Sequence, residues 1–406
     1  MRTLPWRLPF PGILIWAAVL FGFIFVFNFQ VANNQQFIYL ADSFLHGRLD
    51  FQAEHARFLT HEREGRMIWH DVAAWQNKNY WPLGPLPAVL LMPMVAIWGT
   101  GFLQGYVSFL LTILNFCLIY RLAQTFGHEE KSSLYLATAF VFGSTYVGVA
   151  TFPVSWFFAQ VVGTAATLLA LYEYFCRTPK RWWLIGTYLG LATTTRLTLG
   201  LGAIFFIAMI ALASDTKKLH KLTTLAAPML LAVLLLMTYN YARFQNPWES
   251  GYNLQVVHPL HVAARQEGFF SLKHVPANLY FLLLRGPLAI TQEPNSSVLK
   301  YPYWVADRWG MSILINTPIL LYLLLYRKRD KIIHVAWITT GIMLIPILTF
   351  YGIGASQFGY RYVIDFLPFL FLALMAALPQ DLPRSAKWVI VISSLFNAHL
   401  LFNFIF

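Results

Sequence analysis

Three carboxylates in one polar stretch are the first residues that could do chemistry. Asp42, Asp50 and Asp71 all lie between positions 33 and 99. A positioned carboxylate can take the proton of an attacking hydroxyl. Asp71 has the most telling setting. Trp69, His70 and Trp75 surround it, and Tyr80-Trp81-Pro82 follows. Aromatic side chains offer flat apolar faces with polar tips, and such faces suit a sugar ring. His70 and Tyr80 are therefore candidate binding residues. Each Asp also has a plain reading as a solvated loop residue.

Charge-stabilising candidates come from elsewhere in the chain. Arg196 stands inside the apolar stretch LGLATTTRLTLGLG. An arginine in such a place is costly and marks a functional site by default. The plain reading is a side chain snorkelling from a helix end. Turned toward the large loops, it could pair with a phosphate. Arg361 and Asp365 are four residues apart in QFGYRYVIDFLPF. On one helical face they would form an ion pair; the sharper reading makes Arg361 a phosphate ligand. Glu249 and Tyr252 sit just past a helix end at Arg243, with Pro247 and Gly251 marking a turn. Lys273 and His274, in GFFSLKHVPANLYFLLLRGP, would lie at headgroup level and meet a lipid phosphate.

The elements that must position these residues are membrane helices. Of 406 residues 58% are hydrophobic and only 11% charged, about half the charged share of a soluble domain. Apolar runs of about 17–25 residues recur, each long enough to cross a bilayer. Net charge is +12. In a soluble chain that would raise nucleic acid as a partner. Here the basic residues cluster in short connections, as the positive-inside rule requires, and no nucleic acid is expected. Cys117 and Cys176 fall in or beside apolar spans and support neither a metal site nor a disulfide framework. No phosphate-loop, dinucleotide or zinc-protease motif stands in its required context. No cofactor is expected; a divalent metal is left open.

The apolar runs fall at 10–29, 103–119, 133–151, 156–175, 182–195, 198–213, 222–241, 310–326, 332–351, 362–378 and 388–406. The expectation is a single all-α polytopic domain over 1–406 with about eleven transmembrane helices. Two large loops share the outer face, 30–102 and 242–309. Phe37, Leu40, Ala41, Phe44 and Leu45 recur at helical spacing opposite Gln35 and Asp42, predicting an in-plane amphipathic helix. The second loop is expected to carry another at 268–287. The run 84–99, with Pro85, Pro87 and Pro93, is expected to re-enter or lie along the membrane, because a crossing there would upset the count of basic loops.

Taken in order, these stretches resemble the GT-C glycosyltransferases of the protein O-mannosyltransferase and lipid A aminoarabinose transferase type (glycosyltransferase family 39-like). YLADSFLHGRLD is similar to the in-plane helix of their first loop, and DVAAWQNKNYWPLGPLPAVLLMP to the segment before their next span. TTTRLTL, YNYARFQNPWESGY and QFGYRYVIDFLPF resemble recurring stretches of bacterial members. Many members open the first loop with an acidic pair that supplies the base; here Asn33-Asn34 stand there. The base would then be Asp71 or Asp50, unless the chemistry is lost or altered. The resemblance implies a multi-pass protein of a bacterial cell (inner) membrane with its site facing outward. It implies a polyprenyl-phosphate-linked sugar donor among membrane lipids and a glycan, lipid or protein acceptor. It also implies inversion at the anomeric carbon, with Arg196, Arg361 and His70 stabilising the departing phosphate. The alternative is a non-catalytic transporter or flippase of lipid-linked glycans, which would favour related halves and broken helices at the midplane.

Overall fold

The computed structural model describes residues 11–28, 34–63, 66–69, 71–214, 216–256, 259–293, 296–325 and 329–405. Helix α1 (Pro11–Asn28) leads into the first large loop. That loop holds α2 (Gln36–Leu45), the short α3 (Ala56–Leu59), two hairpins and α4 (Leu86–Trp98). The hairpins are β1 (Thr60–Arg63) with β2 (Arg66–Trp69), and β3 (Ala73–Trp75) with β4 (Lys78–Tyr80). Next come α5 (Gln104–Thr125), α6 (Glu130–Val141), α7 (Tyr146–Thr151), α8 (Ser155–Cys176), α9 (Trp182–Thr195), α10 (Ala203–Ala211) and α11 (Lys218–Phe244). The second large loop carries α12 (Pro259–Gln266), α13 (Val275–Leu283) and a third hairpin, β5 (Leu288–Thr291) with β6 (Leu299–Val305). The chain ends with α14 (Ile313–Asn316), α15 (Tyr322–Leu325), α16 (Lys331–Thr349), α17 (Leu367–Ala377) and α18 (Arg384–Ile405).

Among the described residues, five helices are long and apolar enough to cross a membrane: α5, α8, α11, α16 and α18. Shorter apolar helices cover 86–101, 197–211 and 367–377. The expected count of about eleven transmembrane helices is not reached by long apolar helices among the described residues. The 133–151 run breaks after Val141 into α6 and α7. The bared carbonyl of Phe142 is met by the Asn397 amide at 3.1 Å, which also reaches the Asn316 carbonyl at 3.0 Å. A broken helix survives in an apolar setting only when its freed backbone groups find such partners. The 310–326 run likewise folds as α14, a 3-10 turn and α15.

Helices α8 and α17 are enclosed on nearly all sides, whereas α11 shows Leu230, Leu231, Leu234 and Leu235 to the exterior. The α9–α11 contact is close because Gly186 and Gly190 face it. A Cβ on Gly186 would sit 2.0 Å from the Leu225 carbonyl oxygen. Small residues four apart let helix backbones approach this way in membranes.

The basic connections gather at one end. Glu129 N–H donates to the Gln380 carbonyl at 3.1 Å, tying the α5–α6 turn to the α17–α18 turn. Burial lowers the pKa of the Lys180 ammonium, and Lys221 in the first turn of α11 and Lys331 at the start of α16 lower it further. The two large loops lie at the opposite end. Helix α4 has 13 residues, about 20 Å at 1.5 Å per residue and short of a ~30 Å hydrocarbon core. It packs Ala88, Leu91 and Val95 with Phe37, Leu40 and Trp81 in a second apolar cluster. Helix α2 is more enclosed than its amphipathic pattern predicts: every residue from Gln36 to Ala41 is buried, with α4 packed against it.

Candidate functional site

Hairpin β3–β4 reverses at Gln76-Asn77, whose φ values of 47° and 61° fit a tight two-residue turn. Tyr80 consequently points inward, its ring 5.1 Å from that of Phe244. Burial, and then the Asp50 charge, raise its phenol pKa. It serves packing. Just beyond, Gly84 abuts α9: a Cβ there would lie 1.9 Å from the Thr194 carbonyl oxygen. The first loop is thereby seated against the turn that holds Arg196.

The second loop is stitched to this hairpin. Ala74 N–H donates to the Leu254 carbonyl (3.1 Å) and Val256 N–H to the Val72 carbonyl (3.0 Å). The Gln255 amide donates to the Asp71 carbonyl at 3.3 Å. Ala73 and Gln255 are thus antiparallel partners. Buried Arg243 clamps the same junction. It donates to the Trp81 carbonyl (2.7 Å), the Asn240 side chain (2.7 Å) and the Ser250 carbonyl (3.3 Å), between the rings of Tyr239 and Phe244. Glu249 accepts from Gly251 N–H and the Asn253 amide, both at 2.6 Å, so it shapes the turn. Arg265 holds the Tyr252 and Asn253 carbonyls at 2.7 and 2.8 Å.

Below this junction three elements converge. The Arg196 guanidinium binds both oxygens of Asp365, at 3.0 Å from Nε to Oδ1 and 3.0 Å from Nη2 to Oδ2, and Thr198 donates to the same carboxylate. The expected Arg361–Asp365 pair does not form. Residues Arg361–Asp365 make a 3-10 turn, where i and i+4 point about 120° apart rather than along one face. Asp365 turns to Arg196 and leaves Arg361 without an ionic partner among the described residues. The Arg361 Nε is buried with no hydrogen bond. Its guanidinium lies 5.3 Å from the Phe157 ring and 5.3 Å from the Tyr362 ring. Arg196 lies 5.7 Å from the same Tyr362 ring. The Gln160 amide steadies this turn through the Arg361 carbonyl at 2.9 Å.

Tyr252 lies within electrostatic reach of this group. Burial pushes its phenol up to about 12; Arg196 opposes the shift, and Tyr362, Arg361 and Asp71 also act on it. Tyr351 is raised by burial first, then by Tyr362, with Arg265, Tyr252 and Asp71 also within reach. Asp71, Tyr252, Arg196 and Arg361, from four separate stretches of chain, therefore share one neighbourhood. Asp71 itself has φ 52°, a left-handed backbone that Asp tolerates better than most residues.

A solved structure resembles this chain. It is the apo crystal structure of the Archaeoglobus fulgidus oligosaccharyltransferase, with 12% identity, a TM-score of 0.48, and coverage of 96% of this chain and 55% of that one. This chain thus spans just over half the length of that protein. No protein-family model matches, and no curated protein does.

The remaining candidates are engaged elsewhere. Asp50 is buried and meets Arg48 at 2.7 Å and Lys78 at 3.8 Å. Asp42 accepts from Gln52 (2.7 Å) and from the His55 ring (2.9 Å). With Glu54 these two place one donor atom each within 4.8 Å of one another, the one grouping among the described residues that could hold a metal ion. Lys273 pairs with Glu267, and His274 donates to the Gly268 carbonyl at 2.9 Å, so both tie down the 267–274 turn. His70 lies outside the described residues. The sequence reading missed Tyr351, Tyr362, Arg243 and Arg265. The tyrosines crowding Arg361 at 351, 360 and 362 were the available signal.

Proposed function

We propose that this chain is an integral membrane glycosyltransferase. It moves a sugar from a polyprenyl-phosphate donor to an acceptor hydroxyl at the end away from the basic connections. By the positive-inside rule that end is extracytoplasmic. The observation that supports the reading is the pairing of 72–74 with 254–256, which joins the loop carrying Asp71 to the loop carrying Tyr252, a phenol on which Asp71, Arg196 and Arg361 all act.

In this reading Asp71 takes the proton of the acceptor hydroxyl. The freed oxygen pair forms a bond to the anomeric carbon from the face opposite the phosphate. The bond from that carbon to the phosphate oxygen breaks, and the electron pair leaves with the lipid phosphate. Arg361, a planar charged fork with no carboxylate partner among the described residues, meets the growing charge. Arg196 is already neutralised by Asp365, so its part is to fix Tyr362 and the 3-10 turn. Tyr252, protonated up to about pH 12, donates a hydrogen bond and never a charge.

The test is sugar transfer from a panel of polyprenyl-phosphate hexoses and pentoses by purified protein in nanodiscs. Asp71→Asn should cut turnover by about 10²–10⁴ while donor binding persists. Asp50→Asn and Asp42→Asn should retain transfer. Transfer that survives Asp71→Asn sinks the assignment. Movement of the labelled lipid across the bilayer with its glycosidic bond intact would favour the transporter reading.

A further inference from the structure

Hairpin β5–β6 is left bare by the rest of the protein. Val298, Leu299, Lys300 and Tyr301 are all exposed in succession, as are Tyr303 and Trp304. Leu299 and Lys300 are successive strand residues that point to opposite faces, so both faces are uncovered there. Tyr301 is 66% exposed, Tyr303 46% and Trp304 42%, and Leu288 on the partner strand 42%. A lone two-stranded hairpin is marginal in water. An apolar patch of this kind marks an interaction site.

Its anchorage identifies the covering. The His399 ring donates to the Pro302 carbonyl at 3.2 Å, binding β6 to α18, a helix of membrane-crossing length. That helix shows Ile392, Leu395 and Phe402 outward. At the other root, α13 shows Leu279, Tyr280 and Leu283, and Leu284 follows. The bare hairpin is therefore continuous with two apolar outer surfaces. Two tyrosines, a tryptophan and one lysine are the composition found where protein meets the boundary of headgroups and acyl chains. Gln292 and Glu293, just past the end of β5, are polar and exposed, which argues against a tip-first dive.

We infer that β5–β6 lies flat in the bilayer interface, its strands in lipid and its tip in water. Its root is clamped by the Arg285–Asp307 ion pair. Asp307 also takes the Trp309 N–H at 2.7 Å, and the Trp309 ring meets His261, which meets Tyr351. The strand in the membrane is thus rooted beside the wall of the candidate site. The inference needs only a membrane-embedded chain and stands whether or not Asp71 is a base.

The full chain in nanodiscs, with Cys117 and Cys176 replaced by alanine, tests it. Spin labels go on single cysteines at Leu299, Tyr301, Tyr303 and Gln292. Collisions with oxygen should exceed those with a water-soluble nickel chelate at 299, 301 and 303, and the order should reverse at 292. Chelate access at all three strand positions overturns the inference. Exclusion of both probes overturns it too, and points to a second copy of the chain. A second measurement needs no cysteine: brominated lipids should quench the fluorescence that is lost in Trp304→Phe. Quenching equal in parent and variant overturns it.

Discussion

Two arginines near Tyr362 differ in one respect, and it decides their roles. Arg196 spends its charge on Asp365; Arg361 has no carboxylate partner among the described residues. Breaking a buried pair strands the other charge, at roughly 3–5 kcal/mol. Arg196→Met or Asp365→Asn should therefore lower the melting temperature sharply. Arg361→Met strands no partner and should leave stability within about 1 kcal/mol of the parent, while donor binding falls at least tenfold. A melt and a donor-binding titration on the same preparations check both. Equal destabilisation by Arg196→Met and Arg361→Met would refute the distinction. Tyr252 adds a pH statement. Its phenol stays protonated up to about pH 12, so Tyr252→Phe should scale the transfer rate without moving its alkaline limb below about pH 10.

At the scale of elements, the loops are held by backbone pairing and by Arg243. Arg243→Lys keeps the charge but cannot span the Trp81 and Ser250 carbonyls as a fork does. It should cost about 1–3 kcal/mol through stranded acceptors and raise proteolytic nicking at 245–256. Nicking unchanged from the parent would count against the clamp. The α9–α11 contact makes a second prediction. Gly186→Leu has no room against the Leu225 carbonyl and should abolish folded protein. Gly341→Leu, where a Cβ meets nothing within 4 Å, should express and melt like the parent. Size-exclusion profiles separate the two outcomes.

Across the whole molecule, the basic connections and the two large loops occupy opposite ends. Cysteines placed at Ala74 and Asn253 should react together with an impermeant thiol reagent added outside cells. A cysteine at Lys180 should react only after permeabilisation. Labelling of 74 and 253 from different compartments would separate the two loops and with that remove the proposed function.

The amino-acid order by itself determined the membrane class, the basic end, the two long excursions and the short apolar run at 84–99. Each follows from hydropathy, charge and proline content, which are summed along the chain. It also named Asp71, Arg196, Tyr252 and Arg361, because a charge or carboxylate among apolar and aromatic neighbours stands out locally. What only the tertiary structure decided was partnership. Asp365 chose Arg196 over the nearer Arg361 because a 3-10 turn changes which residues share a face. Asn397 made a break at Phe142 tolerable from 255 residues away. Gln255 of the second loop became the bridge partner of Ala73, which already stood in the β3–β4 hairpin. Pairings between distant segments leave no periodicity for a local pattern to report.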